Sequence, residues 1–453
     1  MDQTLFCDAA LLPGGWARRV RLSWRDGVFV AVAAGVRAAA DEARTALAVP
    51  GLGNVHSHAF QRAMAGLAER RGAGEDSFWT WREVMYRFLA RLGPDDVAAV
   101  AAQAYAEMLE TGFTRVGEFH YLHHDPAGRP YANLAAMAEA VVAGACASGI
   151  GLTLLPCFYA QGGFDAAPPS PGQARFLTTP DGFAALLAAS RQALRAVPGA
   201  VLGVAPHSLR AVTEAQLRAV LALRGAGPVH IHAAEQVAEV EACLAATGQR
   251  PVEWLLNQGF IDAAWCVVHA THMTRAETLA LAGTGATAGF CPITEASLGD
   301  GVAPVPEFLA SGGRFGIGTD SNVQIDAAGE LRQLEYAQRL ALRRRNVLAG
   351  AAASSTGMRL FQAALDGGAR ALGSGPAGFV AGAVADIVTL DATHPALVGK
   401  TEDEVLDSLI FGASRPVVAE VWCRGRQRVR GGRHVDGEAI GAAYARALRR
   451  LLT

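Results

Sequence analysis

Two histidines separated by one residue, His56 and His58, end a short apolar segment. Side chains at alternate positions point to the same face of a strand, so both imidazoles can bind one metal ion. An HxH pair alone is weak evidence, because buried histidines often only hydrogen-bond to backbone groups. The evidence strengthens because His232, His269 and Asp320 end further apolar segments. Imidazoles with one carboxylate suit zinc, and a site short of full protein ligation leaves a position for water.

The segment HIHAAE places Glu235 shortly after His232, at a predicted junction between a strand and a helix. A carboxylate in that place can exchange protons with water at the same metal. An isolated glutamate there would more simply be a first-turn acid stabilised by the helix dipole. Because a candidate ligand lies beside it, we predict that Glu235 is the proton shuttle.

The elements that must position these residues are short apolar strands, each followed by a loop and an Ala/Leu-rich helical stretch. The candidate strands are 51–58, 113–121, 149–160, 201–210, 228–235, 265–272, 287–294 and 314–322. Most of them end on polar residues, and the carboxyl ends of parallel barrel strands converge on one mouth. A doubly wound sheet would gather its chemistry at a single switch point instead. The pattern therefore predicts an α/β fold, a (β/α)8 TIM barrel.

The two ends of the chain show strand-like alternation instead, as in VRLSWRDGVFVAVAAGV and AEVWCRGRQRVRGGRHV. We predict that residues 1–50 and 376–453 form one small β-sandwich domain, and that residues 51–375 form the catalytic barrel. The segment 168–176, PPSPGQARF, is predicted to be a long loop at the barrel mouth.

The composition is that of a globular protein, with 453 residues, of which 51% are hydrophobic and 18% charged. A formal net charge of -2 provides no basic field for nucleic acid or anionic lipid, so neither partner is expected. The N-terminus lacks the features of a signal peptide and no long apolar stretch follows, which predicts a cytoplasmic protein without a membrane segment. The cysteines show no CxxC pairing, which argues against disulfides and against a Cys-type zinc site.

The segments PGLGNVHSHAF, HIHAAE, VVHATH and GTDSN resemble the amidohydrolase superfamily, in its subgroup of single-metal deaminases, and the resemblance extends along the whole chain. By this resemblance the metal ligands are His56, His58, His232 and Asp320. By the same resemblance the catalytic residues are Glu235, His269 and Asp320. Members with two metals bridge them through a carboxylated lysine in the barrel. The only lysine here, Lys400, lies beyond the barrel, so one Zn²⁺ per chain is expected, with Fe²⁺ or another divalent ion as an alternative.

Further segments, AFQRAMAGLAER, DSFWTWREVMYR, EFHYLHHDP, PHSLRAV and CPITEASLGDG, resemble the formimidoylglutamate deiminases of histidine degradation. This resemblance implies a zinc-dependent hydrolase that converts N-formimidoyl-L-glutamate to N-formyl-L-glutamate and ammonia. It implies that the substrate-binding residues are Gln61, Arg82, Tyr121, His207 and Arg210. A substrate with two carboxylates agrees with the arginines, whose planar guanidinium groups bind carboxylates through paired hydrogen bonds. A homodimer is expected from the resemblance alone.

Two other functions remain open. The first is another mononuclear deaminase of the superfamily that acts on a guanidine, a pterin or a purine. Ring deaminases of the superfamily usually carry Ser-Asn where this chain has Thr294-Glu295, which favours a linear amidine. The second is a metal-dependent scaffold without catalysis, which the complete set of candidate ligands and acid–base residues argues against.

A histidine cluster and a tryptophan pair invite other interpretations. His120, His123 and His124 have spacing compatible with a second metal, but few carboxylates lie nearby to complete such a site. Trp79 and Trp81 fit a packed lid better than a platform for stacking bases. We predict neither a second metal nor a nucleobase platform.

Overall fold

The computed structural model describes residues 2–71, 74, 77–350 and 355–453, in which the strands form two main sheets. The strands are β1 (Gln3–Leu12), β2 (Gly15–Arg25), β3 (Val28–Ala33), β4 (Arg44–Pro50), β5 (Leu52–Ser57), β6 (Phe113–His120), β7 (Gly151–Phe158), β8 (Val201–Leu202), β9 (Ala205–Pro206), β10 (Val229–Ala233), β11 (Trp265–His269), β12 (Thr287–Phe290), β13 (Arg314–Ile317), β14 (Ile387–Leu390), β15 (Val418–Cys423), β16 (Arg426–Arg430) and β17 (Arg433–His434).

The helices surround the barrel or follow its strands. They are α1 (Phe78–Leu89), α2 (Pro94–Glu110), α3 (Ala136–Ser148), α4 (Pro180–Ala193), α5 (Glu214–Leu223), α6 (Val237–Thr247), α7 (Pro251–Asn257), α8 (Arg275–Gly283), α9 (Pro292–Leu298), α10 (Val305–Ala310), α11 (Ala327–Leu342), α12 (Thr356–Ala371), α13 (Asp403–Asp407) and α14 (Gly437–Leu452). In the part of the chain that the structure describes, no helix has the length and apolar character needed to cross a membrane.

Strands β5 to β13 form the predicted barrel, and every neighbouring pair in it is parallel. The circle closes where the His230 N–H donates to the Val204 carbonyl and the His232 N–H donates to the His207 carbonyl. The fourth barrel strand, predicted as one segment over 201–210, is broken into β8 and β9. Pro206, which has no N–H to donate, lies in this short region. The (β/α)8 architecture is confirmed, with one irregular strand.

Local sequence signals set the ends of the barrel elements. Thr213 and Thr274 begin α5 and α8 with capping boxes, in which a side chain three residues later hydrogen-bonds back to the cap. The strand predicted over 287–294 ends at Phe290, because Pro292 opens α9. At the mouth of the barrel, His56, His232 and His269 lie in the last residues of their strands, whereas Asp320 lies in the turn just beyond β13.

Helix α12 closes the opposite, amino-terminal end of the barrel. The Ala371 carbonyl accepts a hydrogen bond from His230 Nε2 at 2.7 Å, and the Leu372 carbonyl accepts one from Thr153 Oγ1 at 2.8 Å. This approach requires a residue without a side chain, because a Cβ on Gly367 would lie 1.8 Å from the Phe315 carbonyl oxygen. The floor of the barrel is thus packed where α12 crosses it.

We expect Gly367→Ala to lower the free energy of unfolding by about 1–3 kcal/mol or more, because backbone must move to accept the methyl group. Unfolding in denaturant, followed by circular dichroism, measures this change. Gly283→Ala is the matched control, since that position ends α8 and nothing lies within 4 Å of its Cβ. Equal unfolding midpoints for the two variants would contradict the packing argument.

Both chain ends contribute to one mixed sheet, with strand order β17-β16-β15-β14-β4-β1-β2-β3. The outer strand β3 also contacts the segment that leads into β14, where the Phe29 N–H donates to the Ala383 carbonyl at 2.9 Å. Buried side chains such as Phe29 and Phe379 fill the space enclosed in this way. This arrangement agrees with the predicted β-sandwich domain. Helix α14 instead packs on α2 and on the segment before it, where Arg91 Nη1 donates to the Leu451 carbonyl at 2.9 Å. The division of the chain into domains stays a prediction.

Candidate metal centre and substrate cavity

The predicted metal ligands meet at the carboxyl ends of the barrel strands, where all four are nearly completely buried. Asp320 Oδ1 lies 3.5 Å from His56 Nε2 and 3.4 Å from His58 Nε2. His232 Nε2 lies 3.0 Å from His56 Nε2. Among the described residues, three groups of donor atoms are close enough to hold an ion. His56 belongs to two of them, one with His58 and Asp320 and one with His232 and His269, and the third consists of His269, Cys291 and Glu295.

Hydrogen bonds behind two of the histidines leave their inner nitrogens available for a cation. His58 Nδ1 lies 2.9 Å from the Phe119 carbonyl oxygen, and His232 Nδ1 lies 2.9 Å from the His207 carbonyl oxygen. Because a carbonyl oxygen only accepts, each Nδ1 carries its hydrogen, and each Nε2 of the neutral ring has a lone pair directed inwards. Without a bound cation, the lone pairs that converge beside the Asp320 carboxylate would repel one another. The donor set therefore fits a divalent metal ion.

The electrostatics of the cluster also suit ligation. Burial lowers the pKa of His56 to about 3, and burial likewise lowers the pKa values of His58 and His232. Burial alone would raise the pKa of Asp320, but a hydrogen bond and charge from His56 hold it below its usual range. Neutral imidazoles and an ionised carboxylate are the forms that bind a metal ion.

The backbone around Asp320 is strained and is held by hydrogen bonds to the first barrel strand. Asp320 has a φ of 42°, a left-handed conformation that is costly for a residue with a side chain. Its N–H donates to the His56 carbonyl at 2.9 Å, and the His58 N–H donates to the Asp320 carbonyl at 2.9 Å. Asn322 Nδ2 donates to the His58 and Asp320 carbonyls, each at 3.1 Å. These bonds keep ligands from two strands in a common orientation.

Glu235 and His269 lie beside the ligand cluster. His269 Nε2 is 3.8 Å from Glu235 Oε1 and 3.9 Å from Asp320 Oδ2. Burial raises the pKa of Glu235 to about 7. Burial disfavours the charged form of His269, but the charge of Glu235 and a hydrogen bond to Glu295 raise its pKa above the usual value. Two acid–base groups thus face the position next to Asp320.

A cavity of about 590 Å³, open to solvent, leads to this cluster. Helix α1 forms one of its walls, and aromatic side chains form much of the rest. All the predicted substrate-binding residues line it: Gln61, Arg82, Tyr121, His207 and Arg210.

Two arginines share one part of the cavity wall. Arg82 Cζ lies 4.5 Å from the centre of the Trp79 ring, and Arg210 Cζ lies 5.9 Å from the same ring. The Nε atom of each arginine is buried and has no hydrogen-bond partner among the described residues. Arg210 Nη2 also lies 3.5 Å from Glu235 Oε2. Buried donors without acceptors are costly, so this wall is suited to an anionic ligand.

Comparison with known proteins agrees with this geometry. Residues 47–428 match the family model described as "Amidohydrolase family", and residues 3–46 match "Formimidoylglutamate deiminase HutF, N-terminal domain". The chain is 47% identical to a formimidoylglutamate deiminase of Pseudomonas aeruginosa over 453 residues, 99% of each chain. The chain belongs to the amidohydrolase family, within its formimidoylglutamate deiminase group.

Solved structures and more distant relatives extend this comparison. A crystal structure of an amidohydrolase from Brucella melitensis has a TM-score of 0.97 and 52% identity, with 100% of both chains covered. An adenosine deaminase from Xanthomonas campestris with bound zinc, at 24% identity, shares the fold with a TM-score of 0.81, covering 100% of this chain and 98% of the other. A 5-methylthioadenosine/S-adenosylhomocysteine deaminase of Natronomonas pharaonis is 32% identical over 374 residues, 80% of this chain and 78% of the relative.

Two of the three clustered histidines, His123 and His124, have backbone partners, whereas the buried His120 Nε2 has none among the described residues. His123 Nε2 lies 2.8 Å from the Cys157 carbonyl oxygen, and His124 Nε2 lies 2.6 Å from the Leu177 carbonyl oxygen. Within the described ranges, none of the candidate metal-binding groups includes His120, His123 or His124. That this cluster is not a second metal site stays a prediction.

The tryptophan pair and the loop over 168–176 lie at the cavity. Trp81 lines the cavity and stacks on Phe78, with ring centres 6.0 Å apart, while Trp79 packs against Arg82. The loop over 168–176 places Phe176 in the cavity wall. Both tryptophans belong to helix α1 and not to a loop, and that they form a lid stays a prediction.

Sequence reasoning missed three polar residues that support the site. Asn322 braces the strand ends, Glu239 Oε2 accepts the Glu235 N–H at 3.0 Å, and Glu295 contacts His269. Asn322 and Glu295 belong to the segments GTDSN and CPITEASLGDG, which the analysis had selected without giving these residues a role. Their position directly after a barrel strand was the available signal.

Proposed function

We infer that this amidohydrolase hydrolyses N-formimidoyl-L-glutamate to N-formyl-L-glutamate and ammonia in histidine degradation. The observation that carries the proposal is the union in one cavity of a metal-binding cluster with two arginines whose buried Nε donors lack acceptors. The substrate has matching parts, an electrophilic amidine carbon and two carboxylates. The 47% identity to the formimidoylglutamate deiminase of Pseudomonas aeruginosa supports the same substrate.

The residues proposed to hold the metal are His56, His58, His232 and Asp320. A bound zinc ion would lower the pKa of a water molecule towards about 7 and would polarise the amidine group of the substrate. Zinc is proposed because imidazole ligands with one carboxylate and an open position are typical of catalytic zinc sites, with iron as an alternative. One ion per chain is proposed, since the only lysine of the chain, Lys400, lies outside the barrel.

The proton transfers are proposed for Asp320, Glu235 and His269. As water adds to the formimidoyl carbon, Asp320 takes up its first proton and Glu235 gives a proton to the terminal nitrogen, which becomes an amine. Asp320 then passes its proton to this amine and Glu235 takes the remaining hydroxyl proton, so that the carbonyl forms, the bond from carbon to the terminal nitrogen breaks and ammonia leaves. His269 Nε2, directed between Glu235 and Asp320, stabilises the charge that develops during the addition.

Recognition is proposed to rest on the other wall of the cavity. Arg82 and Arg210 bind the carboxylates through charge-assisted hydrogen bonds. Tyr121 and Gln61 are already aligned with each other, since Gln61 Nε2 donates to Tyr121 Oη at 2.9 Å. The buried Gln61 Oε1 has no partner among the described residues, so it can accept from the substrate. His207 completes this wall.

We expect Arg210→Ala to lower kcat/KM by about 10- to 10²-fold, which corresponds to roughly 1.5–3 kcal/mol for a hydrogen bond to a charged group. Steady-state kinetics of ammonia release measure the change. A substrate analogue with amidated carboxylates should be poor for the parent enzyme and should suffer little further from the substitution. Arg218→Ala is the control, because Arg218 is an exposed cation on α5 that pairs with Glu214. Equal losses for diacid and neutral analogue would contradict the assigned contact.

The direct test is ammonia release from N-formimidoyl-L-glutamate by purified, zinc-loaded protein, with the second product identified. N-formyl-L-glutamate supports the proposal. Glutamate and formamide would show that the other carbon–nitrogen bond breaks. Preferential deamination of a guanidine, a pterin or a purine would favour the alternative deaminase function.

Three further points remain proposals: a homodimer, a cytoplasmic location, and the division into domains at 1–50, 51–375 and 376–453. Light scattering can test the homodimer.

A further inference from the structure

Glu295 is a buried carboxylate in the first turn of α9, directly after β12. Only 7% of its side chain is exposed. Its Oε1 atom accepts a hydrogen bond from the Cys291 N–H at 2.8 Å and lies 3.3 Å from His269 Nδ1. The catalytic scheme above gives Glu295 no role, although it touches a residue of that scheme.

The contact determines which nitrogen of His269 carries a hydrogen. An ionised carboxylate only accepts, so Nδ1 of His269 must donate to Glu295. Nε2 is then the atom presented to Glu235 and Asp320. A histidine that is fixed at one nitrogen by a carboxylate keeps both its tautomer and its ring orientation.

The surroundings make this fixation necessary. His269 has a φ of 68° and the next residue, Ala270, a φ of 48°, so the chain turns sharply where the imidazole must point into the cavity. The ring also lies nearly parallel to that of His232, at an interplanar angle of 15°. Without Glu295, His269 Nδ1 would be a buried donor without the acceptor it now has, and the ring would gain other orientations.

We propose that Glu295 is a positioning residue, which holds His269 with Nδ1 protonated and Nε2 directed at the reacting group. The proposal rests on the deiminase function inferred above. It also explains why this chain has Thr294-Glu295 where ring deaminases usually have Ser-Asn, since the Glu295 carboxylate reaches the side of His269 that faces away from the cavity. Glu295 contacts His269 and not the cavity, so it acts through the histidine.

The competing explanation is that Glu295 only caps α9 through the Cys291 N–H. Glu295→Gln separates the two, because an amide oxygen can still accept from Cys291, whereas the bond from His269 Nδ1 changes from a charge-assisted hydrogen bond to a weaker neutral one. Glu330→Gln is the matched control. Glu330 is equally buried and accepts from the Ile293 N–H of the same helix at 2.9 Å. It makes no hydrogen bond to His269 in the part of the chain described.

We expect Glu295→Gln to lower kcat by about 10- to 10²-fold, the usual cost of losing a group that orients an active-site histidine. Metal content, from elemental analysis, and the Kd of the product N-formyl-L-glutamate should stay within about twofold of the parent values, as the ligands and the arginines are untouched. Glu330→Gln should keep a kcat close to that of the parent. A kcat loss no larger than in Glu330→Gln, or a loss of metal in proportion to activity, would overturn the proposal.

A second measurement needs no substrate and no variant of Glu295. In parent protein labelled with ¹⁵N-histidine and loaded with zinc, the His269 resonances, assigned by their absence in His269→Asn, should show a protonated Nδ1 in a strong hydrogen bond. An unprotonated Nδ1 would overturn the positioning role. If the parent released no ammonia from N-formimidoyl-L-glutamate, the deiminase function would fail instead, while this spectrum would still report on Glu295 and His269.

Discussion

Replacing His232 with alanine should remove the bound metal ion and lower kcat/KM for N-formimidoyl-L-glutamate by at least about 10³-fold, roughly 4 kcal/mol. His232 Nε2 lies 3.0 Å from His56 Nε2, so its loss opens the group of ligand atoms on one side. Elemental analysis of the purified variant, together with ammonia release, measures the two effects. Metal content and kcat/KM should fall together, because both depend on the His232 side chain.

The matched control is His230→Ala, in the same strand and on the same face. His230 is completely buried, but its Nε2 bonds to the Ala371 carbonyl at the closed end of the barrel. This variant should lose stability and still bind one equivalent of metal. Full metal content in His232→Ala, or metal loss in both variants to the same extent, would show that the ligand set is misassigned. Two equivalents in the fully active parent would contradict the single-metal proposal.

That the candidate metal ligands lie close together was predictable, because their placement depends on local order along the chain. His56 and His58 share one strand end, and His232 ends another, so strand counting and the convergence of parallel strands place them together. The chemistry of imidazole and carboxylate then indicates a metal without any knowledge of distances. The barrel class followed from the same repeated pattern of strand and helix.

The supporting contacts were not predictable, because they join residues that are far apart in the chain. Asn322 is an ordinary polar residue in the sequence, and only the closed barrel brings its amide to the His58 carbonyl. Pairing of Glu295 with His269 requires α9 to start immediately after β12, whereas the strand was expected to continue. The left-handed conformation of Asp320 is likewise a product of hydrogen bonds to β5.

The proposed substrate contacts were only partly predictable from the sequence. Arg82 and Arg210 are two among many arginines, and sequence alone separates them only through resemblance to a family. The structure adds a physical reason to single them out, since both place a buried Nε without a partner, among the described residues, at the same aromatic wall. An anionic ligand satisfies both donors at once.

Glu235→Gln should leave metal content and product binding close to those of the parent and lower kcat by about 10²-fold or more, the usual scale for an acid–base group. The amide has nearly the same shape, so packing against Arg210 and His269 is kept, but it can no longer deliver a proton to the departing nitrogen. Single-turnover kinetics of ammonia release measure the chemical step directly.

Glu239→Gln controls for the removal of a buried charge near Arg210 without removal of the proposed shuttle. Its side-chain oxygen can still accept the Glu235 N–H, as Glu239 Oε2 does at 3.0 Å, and Arg210 keeps Glu235 as its nearer carboxylate. The loss in Glu239→Gln should therefore be much smaller than in Glu235→Gln. Near-normal turnover of Glu235→Gln would remove Glu235 from the proton transfer and leave Asp320 and His269 to share it. Loss of the metal from that variant would instead make Glu235 a ligand, because a residue that only moves protons does not hold the ion.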